Sequence, residues 1–176
     1  MLTVQIKNDS DCNDDPRSWD NMGTMVCFHG RYNLGDKKTN DNDTTRKLQS
    51  LVSRKDVIAL PLYMYDHSGI TIATKPFHCP WDSGQIGHIY VTKERARKEL
   101  CVSRLTAKQV DRVLAILQGE VDTYDMYLRG DVYYYTVKDE NGEVVDSCGG
   151  FYGKDGIAEI RSQFNDETLY KIETAW

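Results

Sequence analysis

Apolar and polar side chains alternate from the second residue onward: Leu2-Thr3-Val4-Gln5-Ile6 has the two-residue period of a half-buried strand. Gly23 to His29 reads as a second strand entered from an Asp-rich loop. Residues 30–55 are mostly polar and predict a long loop or mobile insertion, with room for a short helix near Thr44 to Val52. Val57 to Tyr65 and Ile70 to Thr74 are predicted strands, and Asp66-His67-Ser68-Gly69 supplies the turn between them. Pro61 lacks a ladder donor, which places it at an edge or a bulge. Gly87 to Val91 gives another short strand, with Thr92 as N-cap of a helix over Lys93 to Leu100.

The strongest helical signal follows Thr106. Thr106 and Gln109 have capping-box spacing, Val110, Val113, Leu114, Leu117, Val121, Tyr124 and Leu128 recur at helical intervals, and Gly130 is the expected stop. Asp131 to Asp139 and Glu143 to Cys148 flank Asn141-Gly142, the dipeptide of a type I′ hairpin. Asp155 to Phe164 reads as a short amphipathic helix and Leu169 to Trp176 as a closing strand. The fold class predicted is α+β: an antiparallel sheet with one long central helix, a C-terminal hairpin and a short helix.

Composition limits the architecture further. The 176 residues, 40% of them apolar, suit a single domain over 1–176 with a closed core. No run of 18 apolar residues exists, so no membrane association by a spanning helix is expected. The first residues lack a basic start followed by an apolar stretch, and the five cysteines are odd in number and scattered. Both features predict a chain kept in a reducing cytoplasm.

The net charge of -5 hides a segregated distribution. Five acids lie between Asn8 and Asn21 against Arg17 alone, and Arg31 to Lys55 and Lys93 to Arg112 each carry seven bases against three acids. From Gly119 onward, 13 acids face five bases. Such patterning speaks to partners and encounter rates. The stretch from Lys93 to Arg112 has the composition to follow a phosphate backbone, while the overall acidity opposes a dedicated nucleic-acid binder.

Several motifs invite chemistry and fall short of it. Asp9-x-Asp11-x-Asn13 resembles half of an EF-hand loop, but Asp14 stands where the turn requires glycine. His67, His78, Cys79 and His88 offer zinc-ligand atoms without the paired close spacing of a structural zinc site. Cys27 and His29 share one strand face, and Cys79 adjoins His78, yet neither lies in a thiol-enzyme signature. Asp146 to Gly153 holds three glycines but no phosphate-cradling pattern. Neither a metal nor an organic cofactor is therefore expected. Pro80-Trp81-Asp82-Ser83-Gly84-Gln85 is the densest cluster of distinctive residues and reads as a contact loop.

The segments Trp19 to His29, Arg31 to Asp36, Leu60 to Gly69 and Cys79 to Gln85 resemble a group of small proteins from phages, plasmids and firmicute mobile elements. The likeness covers most of the length. It implies a mobile-element origin and, by analogy with anti-CRISPR and anti-restriction proteins, action against a host defence; it assigns no catalytic residue. The expectation is a non-enzymatic accessory protein in the host cytoplasm that inhibits a CRISPR effector or restriction nuclease by stoichiometric binding. Its contact residues would be Arg31, Tyr32, Asp36, Asp66, His67, Trp81, Asp82 and Gln85. The alternative is a small nucleotide-directed hydrolase using Asp66, His67, His78 and Asp82 as acid and base.

Overall fold

The computed structural model describes residues 1–38 and 42–175. The predicted positions 39–41 of the polar loop and Trp176 of the closing strand lie outside the described residues. The fold is α+β with one long helix, and its strands divide between two sheets. The residue contacts form two compact units: a terminal unit of residues 1–15 and 126–176, and a central unit of residues 16–125.

In the terminal unit, β1 (Leu2–Asn8) lies between β7 (Val132–Lys138) and β9 (Tyr170–Ala175), with β8 (Val144–Tyr152) beyond β7. β1 runs antiparallel to β7 but parallel to β9. The alternation in β1 aims Val4 and Ile6 into a core shared with Tyr135, Val137, Phe151 and Ile160, the last from α4 (Gly153–Gln163). Alternation identifies a buried face without naming its partner. The first strand pairs with β7 and β9, from the last third of the chain, and not with its neighbour in sequence.

The turn between β7 and β8 departs from the predicted type I′. The Gly142 amide donates to Asp139 O at 3.1 Å and the Asp139 amide to Glu143 O at 3.0 Å. Gly142 alone adopts a left-handed φ, of 84°. This is a three-residue loop, a type I turn closed by a glycine bulge. Asp139 Oδ1 accepts from both the Asn141 and Glu143 amides at 2.9 Å, which favours the ordinary type I start.

The central unit is built on the five-stranded sheet β3-β2-β6-β4-β5, comprising β2 (Thr24–Cys27), β3 (Lys37–Lys38), β4 (Val57–Asp66), β5 (Ile70–Ala73) and β6 (Ser83–Thr92). Two helices fall where the pattern placed them. α1 (Asn42–Val52) occupies the polar stretch and buries Leu48, and α2 (Lys93–Glu99) starts at Thr92, whose Oγ1 accepts from the Arg95 amide at 3.2 Å. α3 (Ala107–Leu128) begins at the predicted capping box, the Thr106 amide donating to Gln109 Oε1 at 2.7 Å. Val113, Leu117, Val121 and Tyr124 form its buried stripe. Past its end, the Asp131 and Gly130 amides return to Met126 O and Tyr127 O at 2.8 and 3.0 Å, a Schellman stop on the left-handed Gly130. No helix among the described residues is long and apolar enough to cross a membrane.

A buried ionic network closes the central unit. The Arg17 guanidinium forks onto Asp36 at 2.7 and 2.9 Å, reaches Glu120 at 3.1 Å and donates to Gly23 O at 2.9 Å. The two carboxylates also accept backbone amides, Glu120 Oε1 from Met22 and Gly23 and Asp36 Oδ2 from Met25. Burial works against the Arg17 charge, but the bonds to Asp36 and Glu120 outweigh it and hold its pKa above the usual value.

Candidate functional site

The site forms where β4 ends and β6 begins. Tyr65 pairs with Ser83, and the Asp66 amide donates to Asp82 O at 2.9 Å, so Asp66 and the Trp81-Asp82 turn emerge together. Pro61 lies opposite His88 on β6, on the stretch of β4 that β5 does not reach, in keeping with its missing donor. Opposite Leu62 and Tyr63, β6 holds Gly87 and Gln85, leaving Ile86 as the extra residue of a bulge. Ile86 turns inward and is buried, while Gly84 and Gln85 are exposed. Bulges re-aim side chains in this way.

Phe28, His29, Met64, Asp66, Trp81, Asp82, Gln85 and Ile86 line an open pocket of about 360 Å³. On one wall, His29 and Tyr32 stack at 5.2 Å, and the Tyr32 amide donates to His29 Nδ1 at 3.3 Å. The Tyr32 hydroxyl donates to Asp66 Oδ2 at 2.9 Å, an interaction that keeps the phenol protonated above its ordinary range. Arg31 extends over the Tyr32 ring at 5.1 Å and approaches Asp66 at 3.6 Å. On the other wall, Asp82 faces His67 Nδ1 at 3.4 Å and the Cys79 thiol at 3.6 Å. His67 stacks on Tyr65 at 5.9 Å. Ser83 Oγ donates to Cys79 O and ties the turn to its own start. The Trp81 ring projects with 91% of its surface exposed.

Seven of the eight predicted contact residues therefore gather around one opening: Arg31, Tyr32, Asp66, His67, Trp81, Asp82 and Gln85. Asp36 belongs to the Arg17 network instead. His78 is exposed and is not among the lining residues. His88 lies within reach of Gln85, its Nε2 3.3 Å from Gln85 Nε2, while its Nδ1 is buried without a partner and burial lowers its pKa. Among the described residues, no three His, Cys, Asp or Glu side chains are placed to hold a metal ion.

Sequence reasoning considered His29 as a companion to Cys27 and missed its place in the pocket wall. The available signal was its position at the end of a strand whose next residues carry Arg31 and Tyr32. Cys27 is buried beside Asp36, and burial pushes its thiol up to about 12. Such a thiol is inert near neutral pH. In native protein, Cys101 and Cys148, both exposed, are expected to be alkylated by iodoacetamide while Cys27 reacts only after denaturation. Peptide mass mapping after timed labelling checks this, and rapid native labelling of Cys27 would contradict its placement.

No family model, no curated protein and no solved structure matches the chain.

Proposed function

We propose that the protein acts by stoichiometric docking onto a nucleic-acid-handling enzyme, as a mobile-element inhibitor of a host restriction nuclease or CRISPR effector. The observation that carries the docking reading is Trp81, a large ring 91% exposed on the rim of a pocket bearing Asp66 and Asp82. Tryptophan is the residue type most enriched among interface anchors, and it contributes only when a partner covers it. Carboxylates beside it suit a basic surface such as the groove of a nuclease. The pocket is open to solvent, which fits a contact surface better than a dry chamber for bond chemistry. The partner class follows from that charge complementarity together with the motif resemblance.

Inhibition of purified restriction nucleases and CRISPR effectors, titrated against protein concentration, tests the proposal. Inhibition is expected to saturate at a fixed molar ratio, and Trp81→Ala with Asp82→Ala to weaken it by about 30-fold or more. Both side chains are exposed, so the variant should melt with the parent protein. Unchanged inhibition by a folded double variant would remove this surface from the account.

The His67–Asp82 approach of 3.4 Å favours one second reading, a nucleotide-directed hydrolase with an imidazole–carboxylate pair as acid and base. Turnover of a nucleotide library by substoichiometric protein, abolished by His67→Ala, would establish it. Direct nucleic-acid binding through Lys93 to Arg112 would show instead as an affinity that falls steeply with salt.

A further inference from the structure

The terminal unit offers an interaction surface of a different kind, the open side of β9. The Leu2 amide donates to Leu169 O at 2.9 Å, and the parallel register then runs unbroken from Leu2–Tyr170 to Lys7–Ala175. In such a ladder alternate residues bond to the neighbouring strand, so the main-chain groups of Lys171 and Glu173 serve β1 and those of Ile172 and Thr174 point outward. The Tyr170 amide is taken by Asp166 O at 2.9 Å, while its carbonyl shares the outward side. No strand lies beyond β9 among the described residues. A lysine usually guards such an edge, but Lys171 is matched by Glu173 at 2.7 Å. On the core face, α4 packs against β7 and β8, leaving Tyr170 and Ile172 half-buried beside Phe164 and Arg161 around a pocket of about 470 Å³.

This edge is complementary to itself. Two copies laid antiparallel about Ile172 set Ile172 against Ile172, Lys171 against Glu173 and Tyr170 against Thr174. Each Ile172 then donates to and accepts from its counterpart, and each Thr174 amide meets Tyr170 O of the other copy. The Tyr170 amide, already bonded to Asp166, is not needed. Both charged pairs are of opposite sign, and the two Ile172 side chains meet on the pocket's face of the sheet. We propose that the protein pairs with a second copy of itself through β9, joining two four-stranded sheets about a two-fold axis. β8, the other edge, loses register in two places and offers no comparable run. The terminal unit carries 14 acids against six bases, but repulsion between them is screened beyond about 8 Å at physiological salt. An interface of one strand from each copy is small, so the dimer should be reversible. This does not rest on the Trp81 surface.

Sedimentation velocity of the full chain at physiological ionic strength, up to about 1 mM, should show a reversible monomer–dimer equilibrium. Lys171→Glu and Glu173→Lys each turn both cross-strand pairs into like charges and should weaken the dimer about tenfold. The two side chains are 59% and 42% exposed, so both variants should fold. Mixed in equal amounts, the variants should pair with each other about as tightly as the parent does with itself, because opposite charges again face across the strands. Amide exchange followed by NMR should slow with concentration at Ile172 and Thr174, and not at Lys171 or Glu173, whose amides already bond to β1. A monomer at every concentration, dimers indifferent to both substitutions, a mixture no tighter than its components, or protection confined to other segments would each overturn the proposal. Trp81→Ala should dimerise like the parent, so this inference and the docking surface can fail separately.

Discussion

Arg17→Ala is expected to destabilise the central unit by about 3–5 kcal/mol, the cost of stranding buried charges whose partner has gone. The Arg17 side chain is 3% exposed, and the carboxylates it holds are 24% exposed for Asp36 and 11% for Glu120. Without the guanidinium, two acids face one cavity with only amide donors to compensate them. Arg17→Lys should recover little, because one ammonium cannot span the forked bonds to Asp36 and the third to Glu120. The internal control is Arg54→Ala. Arg54 also pairs with a carboxylate, Asp56 at 2.5 Å, but both side chains are more than half exposed, and the change should cost about 1 kcal/mol or less. Thermal unfolding followed by far-ultraviolet circular dichroism should place Arg17→Ala roughly 10–20 °C below the parent and Arg54→Ala close to it. Similar midpoints for the two variants would show that the Arg17 network carries no more than a surface pair.

That network marks the limit of what the sequence makes legible. Local signals located the elements well: the Thr106–Gln109 box, the stripe from Val113 to Tyr124, the stop at Gly130 and the Thr92 cap all depend on residues within a turn or two of each other. Arg17, Asp36 and Glu120 lie 19 and 103 residues apart, and no local pattern relates them. The same reason explains the division into two sheets, since alternation in Leu2 to Ile6 is equally consistent with any partner strand. The pocket was more legible because its walls come from short segments. Residues 28–32, 64–67 and 79–86 each carry several contributing side chains, and their chemical distinctiveness singled them out before any pairing was known. Asp36 was drawn into the contact list by proximity to Arg31 and Tyr32, although the intervening chain carries it back to β2, where it accepts the Met25 amide at 2.8 Å.

Gly87→Ala is expected to cost about 4 kcal/mol or more, in the extreme tail of single-substitution effects. A Cβ at this position would stand 2.0 Å from Val26 O and 3.0 Å from Cys27 Cα. Those atoms are backbone of β2, so the clash cannot be relieved by rotating a side chain. It requires β2 to move away from β6, and β2 carries Met25 and Cys27 into the core and leads into His29 of the pocket wall. Next to the contact, the Phe28 amide donates to Ile86 O at 2.7 Å, which ties the bulge to β2. Separation would therefore disturb both the core and the opening that Ile86, Gln85 and Phe28 help to line. Gly84→Ala provides the comparison within the same strand: nothing lies within 4 Å of its added methyl, and stability should change by about 0.5 kcal/mol or less. Urea denaturation of the two variants gives the stability difference, and the inhibition titration gives its functional counterpart, expected to be lost by Gly87→Ala; Gly84 itself lines the pocket, so its variant serves as the stability comparison alone. Equal stability of the two would mean that β2 and β6 do not cross so closely at Val26. Loss of stability with docking intact would separate the strand crossing from the pocket and leave the Trp81 turn to act alone.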